Sequence, residues 1–207
     1  VDINRFRPNA ALKSKNRKAF GVAADVCVYL FIGRINRDKG ILDLMKAFQK
    51  VANSVSKVEL WVVGPDEENL LPALKTMSKE CEAPIRFFKE TPNPETVMAS
   101  VDVILLPSYR EGFGVVIIES ASCEVPTIAY RVDGVIDAVL HDHTGILVDV
   151  GNVESFAFAM KTLALDTCLR RRLGKQARDR VERLFDSDSV TDKWVDFYKR
   201  EFDRLGS

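Results

Sequence analysis

Short apolar runs alternate with segments of helical periodicity along most of this chain. The strand-like runs are 26–32, 58–63, 85–88, 101–106, 127–129 and 146–148. The helix-like segments between them are 41–52, 70–81, 94–100, 114–123 and 135–140. Such alternation, with short polar connections, is typical of a parallel sheet that helices cover on both faces. The sequence therefore predicts an α/β fold, a Rossmann-like doubly wound parallel sheet.

After Asp149 the pattern changes to helices only. Helical periodicity covers 153–165, 169–184 and 189–202, and Asp188 or Ser189 is the expected N-cap of the last helix. This last helix carries an apolar, mostly aromatic stripe at helical spacing, formed by Val190, Trp194, Phe197, Tyr198 and Phe202. Two interpretations of the stripe stay open: it packs on its own sheet, or part of it docks on a neighbouring domain.

The helix predicted at 169–184 carries a basic cluster, made of Arg170, Arg171, Arg172, Lys175, Arg178, Arg180 and Arg183. A solvated face is the favoured interpretation, and a patch that touches a membrane surface is the alternative. The chain as a whole has no net charge, because 30 lysines and arginines balance 30 aspartates and glutamates. Nucleic-acid binders usually carry a basic field, so we do not expect nucleic acid as a partner.

The length of the chain, the lengths of its apolar runs and its cysteines limit the class of protein. A chain of 207 residues can bury one good core, and one domain is expected. The longest apolar runs are far shorter than the roughly 20 residues that span a bilayer, so we expect no transmembrane helix or signal peptide. Four scattered cysteines, Cys27, Cys81, Cys123 and Cys168, fit reduced thiols of a cytoplasmic protein. Because the chain starts with Val1 and not Met, we expect it to be a piece of a longer protein.

The first predicted strand ends in a loop suited to an anion, residues 33–40. Gly33 and Gly40 allow tight turns and close backbone approach, and the helix that follows directs its first amides at a ligand there. Arg34 supplies a flat fork for two phosphate oxygens, and Lys39 supplies a mobile point charge. At about 1.5–3 kcal/mol for each charge-assisted hydrogen bond, the two cations could hold a diphosphate without a metal.

A structural alternative for the two cations is that they form surface ion pairs with Asp38 or Asp43. The spacing of the loop matches neither a Walker loop nor Gly-x-Gly-x-x-Gly, so the loop by itself favours the phosphate interpretation only slightly.

Two glutamates eight residues apart, Glu111 and Glu119, flank a Gly112-Phe113-Gly114 turn directly after a predicted strand. In an open α/β sheet, ligands bind outside the carboxyl ends of the strands. Eight residues of helix rise roughly 12 Å, which is the reach of an extended polar ligand and not of one metal ion. Glu119 lies in an apolar helix stretch, so its carboxylate needs donors, which ribose hydroxyls would supply. The structural alternatives are a salt bridge for Glu119 and a solvated loop position for Glu111.

Two further sets of polar residues carry little support for chemistry. His141 and His143 form a His-x-His pair, but a metal site needs at least one more ligand in a defined geometry, so a solvated turn is favoured. Ser120 and Ser122 have no His–Asp partners near them in sequence, so acyl transfer is not supported.

As a set, the loop and turn motifs resemble the family-4 retaining glycosyltransferases, which have two Rossmann domains in the GT-B architecture. The motifs that carry the resemblance are Gly33-Arg34, Lys39-Gly40, Pro107-Ser108, Glu111-Gly112-Phe113-Gly114 and Glu119. The resemblance runs through the whole chain and includes segments similar to the family's linker and last strand, which are Val1-Asp2 with Phe6 and Pro8, and Thr144-Gly145-Ile146-Leu147-Val148.

The resemblance implies one half of a GT-B fold with C-terminal helices, the half that binds the sugar donor. It implies an interdomain linker and first helix at 1–18 and a Rossmann-like nucleotide-sugar-binding domain at 19–185. The remaining segment, 186–207, is then a C-terminal helix that packs on a missing N-terminal domain.

Donor-binding roles in that family fall on Gly33, Arg34, Lys39, Glu111, Gly112, Phe113, Gly114, Val115 and Glu119. Arg34 and Lys39 would contact the diphosphate of a nucleotide-sugar. Glu119 would bind the ribose hydroxyls and Glu111 the sugar hydroxyls, and Arg34, Lys39 and Glu111 are the expected catalytic residues.

The implied activity is transfer of a hexose or N-acetylhexosamine from a nucleotide-sugar, with a UDP-sugar as the expected donor. Transfer would retain configuration and need no metal or other cofactor. A glycan or polyprenyl-linked acceptor would bind through the missing domain, in bacterial surface polysaccharide synthesis such as that of lipopolysaccharide O-antigen. The protein would be cytoplasmic, with peripheral membrane association as a further expectation. The alternatives are a glycogen- or sucrose-synthase-type transferase and a non-catalytic nucleotide-binding module, and the isolated chain is expected to be inactive.

The chain departs from the family's pattern at three places. Lys89 stands where a glycine usually follows the short third strand, in a loop that borders the base. Glu124 replaces a common glycine at an expected helix end. Asp133-Gly134 replaces a Gly-Gly pair.

Overall fold

The computed structural model, which describes residues 1–81 and 83–205, is built on one parallel sheet. Its strands are β1 (Cys27–Ile32), β2 (Val58–Val63), β3 (Ile85–Phe88), β4 (Val103–Leu106), β5 (Thr127–Tyr130) and β6 (Gly145–Val148). They lie in the order β3-β2-β1-β4-β5-β6, and neighbouring strands are parallel. This is the Rossmann strand order, in which the winding reverses between β1 and β4. The predicted doubly wound sheet is confirmed.

Helices connect the strands and follow the last of them. They are α1 (Ala10–Ala19), α2 (Ile41–Ala52), α3 (Leu71–Lys79), α4 (Pro94–Met98), α5 (Val115–Ser122), α6 (Val135–Ala138), α7 (Val153–Leu165), α8 (Thr167–Leu184) and α9 (Ser187–Leu205). Local caps explain several starts: Asn9 accepts from the Leu12 amide and Asp166 from the Leu169 amide, at 2.9 and 2.8 Å. Strands β1 and β2 are almost wholly buried, which explains why their sequences are apolar except at Glu59. The buried Glu59 carboxylate accepts a hydrogen bond from Trp61 Nε1 at 2.6 Å and pairs with Arg86.

Predicted element boundaries are wrong by up to three residues, for local reasons. The strand expected from Val101 begins at Val103, because Asp102 forms a bend whose carboxylate accepts a hydrogen bond from the Val28 amide at 2.8 Å. The helix expected over 114–123 lacks its first and last residues, which are its caps.

The start of the last helix also differs from the prediction. Asp186, and not Asp188 or Ser189, caps α9: its carboxylate accepts from the Ser189 amide at 3.2 Å. The predicted C-terminal segment includes residues 206–207, which lie outside the described residues.

A buried ion cluster fastens α1 to the sheet. Arg17, whose side chain is 6% exposed, pairs with Asp102 and donates through Nε to the Ser100 carbonyl oxygen at 2.9 Å. Lys13 Nζ lies 2.8 Å from Asp102 Oδ1. Burial alone would raise the pKa of the Asp102 carboxyl, but Lys13, Arg17 and the Val28 amide hold that pKa below its ordinary value of 3.8. Asp102 therefore stays ionised at neutral pH although it is buried.

Two of the cysteines are packed thiols, as predicted. Cys27 and Cys123 are buried, and this burial raises the pKa of each thiol to about 12. Both are therefore protonated and unreactive at neutral pH. Cys168, by contrast, is exposed.

The basic cluster on α8 is not one solvated face, so that interpretation is wrong for part of it. Arg170 donates to the Leu163 and Ala164 carbonyl oxygens, Arg178 to that of Ser122, and Arg180 to that of Asp137. These three arginines join α8 to the ends of α7, α5 and α6. A long side chain with five donors can satisfy carbonyl groups that a helix end leaves unpaired, which periodicity alone does not reveal.

The aromatic stripe on α9 does not pack on the sheet, so that interpretation is wrong. Trp194, Phe197, Tyr198 and Phe202 are 56, 45, 55 and 73% exposed. The first three contact one another, and the Trp194 and Tyr198 rings stack with their centroids 6.0 Å apart.

Across the described ranges, 1–81 and 83–205, the helices are too short or too polar to cross a membrane.

Candidate functional site

The loops that follow β1, β2 and β4 meet in direct backbone contact at the carboxyl edge of the sheet. A Cβ on Gly40 would lie 1.9 Å from the Pro107 carbonyl oxygen, and one on Gly64 would lie 1.9 Å from that of Gly33. Gly40 also has a φ of +66°, in the left-handed region. This meeting point is next to the β1/β4 reversal, where open α/β sheets bind ligands.

Lys39 and Glu111 meet at the centre of this site. They are 72 positions apart in sequence, yet Lys39 Nζ lies 2.5 Å from Glu111 Oε1. Their side chains are only 19 and 10% exposed. The alternatives that paired Lys39 with Asp38 or Asp43, and that left Glu111 solvated in its loop, are therefore wrong.

Two polar residues to which the sequence assigned no role support this ion pair. The Ser108 hydroxyl donates to Glu111 Oε1 at 3.0 Å, and Asn36 Oδ1 accepts from the Lys39 amide at 3.0 Å. Neither residue is charged, and neither lies at a distinctive spacing. The sequence signal for Asn36 is only its position in the loop, whereas Ser108 belongs to the Pro107-Ser108 motif.

Arg34 lies at the edge of the site and is more exposed than Lys39. Its guanidinium is 59% exposed and lies 3.4 Å from Glu67, not beside Asp38 or Asp43. Glu67 also accepts from Asn36 Nδ2 at 2.9 Å. Because the Arg34 contact is long and exposed, it contributes little free energy and leaves the guanidinium available to a ligand.

Glu119 faces a separate cavity of about 390 Å³ beside Arg34. The cavity is lined by the ends of β1 and β2, the loop after β3 and the first turns of α5, and its residues include Gly33, Arg34, Gly64, Thr91, Val116 and Glu119. Within the part of the chain that the structure describes, no group donates a hydrogen bond to the Glu119 carboxylate, so the salt-bridge alternative is wrong. Burial is the main reason that the pKa of this carboxyl is raised above 4.5.

We expect Glu119→Gln to stabilise the unliganded chain at neutral pH. The raised pKa means that folding disfavours the charged carboxylate, and this penalty grows as the pH rises from 4.5 through the folded-state value. Removing the charge should increase the free energy of unfolding at pH 7 and have no effect below pH 4.5. Urea unfolding at both pH values measures the difference. Glu154→Gln, at a 77% exposed carboxylate, is the control, and an equal gain there would contradict the role of burial.

The turn before α5 places backbone, not side chains, toward the open site. α5 starts after Gly114, and neither α2 nor α5 receives a side-chain cap. A Cβ added at Gly33 or Gly112 would meet no atom of the described residues within 4 Å. The Phe113 ring packs on Phe185, with centroids 5.5 Å apart, so only its backbone is available to the site. Two uncapped helix starts beside two cations favour an anion.

Val115, also a predicted site residue, is the first residue of α5 and is 56% exposed. All the predicted residues are thus found at the carboxyl edge of the sheet, but in two groups. Lys39 and Glu111 touch each other, whereas Arg34 and Glu119 line the neighbouring cavity.

The histidine pair has a structural role. His141 Nδ1 accepts a hydrogen bond from the Leu147 amide at 3.1 Å and thereby closes the turn before β6. Among residues 1–81 and 83–205, no three His, Cys, Asp or Glu side chains are grouped so that they could hold a metal ion.

Strand order, parallel pairing and a cluster of charged residues at the reversal point define a Rossmann-like α/β domain of the kind that forms half of a GT-B protein. Residues 13–180 match the family described as Glycosyl transferases group 1, and the chain belongs to that family.

Relatives of known type agree with this assignment. The chain is 31% identical over 200 residues to the capsular polysaccharide biosynthesis glycosyltransferase CapM of Staphylococcus aureus, covering 96% of this chain and 52% of CapM. It is 27% identical over 194 residues to the lipopolysaccharide core biosynthesis glycosyltransferase LpsE of Rhizobium meliloti, covering 93% of this chain and 56% of LpsE. The chain therefore spans about half the length of these relatives.

Among solved structures, Anabaena HepE in complex with UDP and glucose superposes with a TM-score of 0.87 at 24% identity, over 97% of this chain and 55% of HepE. Sucrose-phosphate synthase from Thermosynechococcus elongatus superposes with a TM-score of 0.85 at 26% identity, over 99% of this chain and 51% of that enzyme. The fold is thus that of one half of each protein.

Proposed function

We propose that this chain is the donor-binding half of a retaining glycosyltransferase that uses a UDP-sugar. The observation that carries the proposal is the meeting of Lys39 with Glu111 next to the cavity of Arg34 and Glu119. The sugar would be a hexose or N-acetylhexosamine, and the acceptor a glycan or a polyprenyl-linked glycan of a bacterial surface polysaccharide. Support comes from the similarity to CapM and LpsE, and from the UDP and UDP-glucose bound to HepE.

Each site residue has a role that its position supports. Glu119, which lacks a donor from the described residues, would accept hydrogen bonds from the ribose hydroxyls. Arg34, beside the same cavity, would contact the diphosphate together with Lys39. Glu111 would bind sugar hydroxyls. The short distance between Lys39 and Glu111 suits a nucleotide-sugar, because its terminal phosphate and its sugar are directly joined.

In the proposed reaction the bound donor separates Lys39 from Glu111 and forms hydrogen bonds with both. Lys39 would exchange the Glu111 carboxylate for a phosphate oxygen, and Glu111 would exchange the ammonium for hydroxyl donors. Negative charge builds on the leaving diphosphate in the transition state, so fixed cations and uncapped helix amides at that point lower the barrier. We propose that these groups suffice for transfer with retention and without a metal.

We expect Lys39→Ala to weaken UDP binding roughly 10- to 100-fold, because one charge-assisted hydrogen bond to phosphate is lost. Lys57→Ala is the matched control: Lys57 forms an ion pair with Asp25 just before β2, at the opposite edge of the sheet, and should leave binding unchanged. Calorimetric titration with UDP, GDP and ADP measures the affinity of both variants. The same titration of Glu119→Ala should show weaker binding of all three nucleotides alike, because Glu119 would contact the ribose that they share.

Two results of these titrations would count against the proposal. Equal affinities for Lys39→Ala and Lys57→Ala would remove the phosphate role of Lys39. A wild-type chain that binds none of the three nucleotides would exclude a donor site altogether.

We also propose that α9 packs on an N-terminal domain and that the segment 1–18 is the linker from it. The first residue of the proposed linker lies beside the start of α9. The Val1 nitrogen donates to the Phe185 carbonyl oxygen at 2.6 Å, and the Ser187 amide donates to the Val1 carbonyl oxygen at 3.0 Å. The exposed aromatic stripe starts just beyond this point. An acceptor would then bind largely outside this chain, in the cytoplasm, with the membrane surface as a further proposed contact.

We expect the Trp194 indole to be open to acrylamide in the 207-residue chain and protected in the full-length protein. Its 56% exposure in α9 would fall when a second domain covers the stripe. Trp61, which is 2% exposed, contributes a protected background that Trp61→Phe removes. Equal quenching of Trp194 in both proteins would contradict the proposed packing of α9.

A further inference from the structure

Asp43 joins two tyrosines beside the proposed donor site. It lies in the first turn of α2, and its Oδ2 accepts hydrogen bonds from the Tyr109 hydroxyl and, at 3.0 Å, from the Tyr130 hydroxyl. The Asp43 side chain is only 13% exposed. The two tyrosine rings are in contact, with centroids 5.8 Å apart. Tyr130 is fully buried at the end of β5, so it orients the Asp43 carboxylate from a rigid position.

Tyr109 belongs to the loop that carries Glu111, and it forms two hydrogen bonds with the segment around Lys39, one to the loop after β1 and one to the first turn of α2. Its hydroxyl reaches Asp43, and its backbone amide donates to the Asp38 carbonyl oxygen at 2.8 Å. These contacts lie on either side of Lys39 in sequence. The Lys39–Glu111 ion pair is therefore accompanied by a second connection between the same two loops.

This second connection matters because the ion pair cannot hold the loops once a donor is bound. In the proposed function, Lys39 turns to phosphate and Glu111 turns to sugar hydroxyls, so their mutual contact is lost. The bond from Tyr109 to Asp43 does not use either group and can persist. A displacement of 1 Å in such a site is enough to weaken binding or transfer strongly.

We propose that Asp43 and Tyr109 are positioning residues that hold Glu111 in place against the sugar of the donor. This inference rests on the proposed function. Its specific consequence is that the hydroxyl of Tyr109 supports recognition of the sugar and not of the nucleotide, because Tyr109 is two residues from Glu111 and lies outside the cavity of Glu119.

The test is calorimetric titration of the 207-residue chain with UDP-glucose and with UDP. Tyr109→Phe keeps the ring and removes the hydroxyl, and it should weaken UDP-glucose binding about 10-fold while changing UDP binding less than about 2-fold. Asp43→Ala should reproduce this pattern. In a Glu111→Ala background, Tyr109→Phe should have no further effect, since coupled residues are not additive.

Tyr29→Phe is the matched control for loss of a tyrosine hydroxyl. The Tyr29 hydroxyl donates to the Met160 carbonyl oxygen at 2.8 Å in the core. Its removal should lower the unfolding midpoint but should not change the ratio of the affinities for UDP-glucose and UDP. Tyr109→Phe that weakens UDP and UDP-glucose equally, weakens neither, or acts additively with Glu111→Ala would overturn the positioning role alone. A wild-type chain that binds neither ligand would overturn the proposed function as well.

Discussion

Gly40→Ala is expected to lower the free energy of unfolding by at least about 3 kcal/mol and to abolish nucleotide binding. The φ of +66° strains any residue with a Cβ, and that Cβ would lie 1.9 Å from the Pro107 carbonyl oxygen. The obstacle is backbone and cannot rotate away as a side chain could. Relief requires the Lys39 and Glu111 loops to separate, so stability and the site are lost together.

Gly21→Ala distinguishes the backbone strain at a positive φ from the clash between a Cβ and the backbone of the neighbouring loop. Gly21 has the same φ of +66°, but a Cβ there would meet no described atom within 4 Å. Its substitution should therefore cost only the backbone strain, about 1–2 kcal/mol. Urea unfolding followed by circular dichroism compares the two variants. Similar losses at both positions would mean that the contact between the loops contributes nothing.

Asp102→Asn is expected to lower the free energy of unfolding by roughly 3–5 kcal/mol at neutral pH, because it leaves the guanidinium of Arg17 buried without a counter-charge. The Arg17 side chain is 6% exposed, and the remaining partners of its guanidinium are carbonyl oxygens. Asp25→Asn is the matched control, since it breaks an ion pair with Lys57 in which both side chains are more than half exposed. That variant should unfold like the wild type.

The same carboxylate predicts a pH dependence. Its folded-state pKa is below the ordinary value of 3.8, so its contribution is complete above pH 3.8 and is lost as the pH falls through the folded-state value. The difference in unfolding free energy between wild type and Asp102→Asn should therefore shrink at the acid end of a titration. A difference that stays constant down to pH 2 would show that charge is not its cause.

The number of hydrogen bonds, and not burial alone, separates the structural ion cluster from the charged groups of the site. The Lys39–Glu111 pair is about as buried as the Asp102 cluster, yet it has fewer hydrogen bonds and lies at a surface edge. Groups that a ligand must recruit cannot be fully satisfied by the protein itself. Glu119, with its raised pKa and no described donor, is the clearest case, and we expect it to cost stability in the unliganded chain.

Most of the fold could be predicted from the sequence because it depends on local patterns. A buried parallel strand such as β1 must be apolar along its length, and an amphipathic helix such as α2 must repeat its apolar residues with helical period. Errors arose where a single side chain decides a boundary. The bend at Asp102 and the cap at Asp186 each depend on one hydrogen bond, which periodicity does not record.

The candidate site was predicted as a set of residues but not as an arrangement. Arg34, Lys39, Glu111 and Glu119 were nominated from glycine-rich loops and the carboxyl ends of strands. The alternative that paired Arg34 with Asp38 or Asp43 is wrong, because Arg34 contacts Glu67. The sequence indicates Asp43 only as a surface ion-pair partner, whereas it accepts hydrogen bonds from Tyr109 in the loop after β4 and from Tyr130 at the end of β5.

The sequence by itself determined the class of fold, the order of its elements and the chemical kinds of group at the site, because periodicity and turn residues act over short stretches of chain. The tertiary structure decided which groups meet. Lys39 and Glu111 are 72 positions apart, and they touch because β1 and β4 are neighbours in the sheet and Gly40 lets their loops approach to backbone contact. The tertiary structure also decided between the two interpretations of the aromatic stripe, because only the packing of α9 shows that the stripe is exposed.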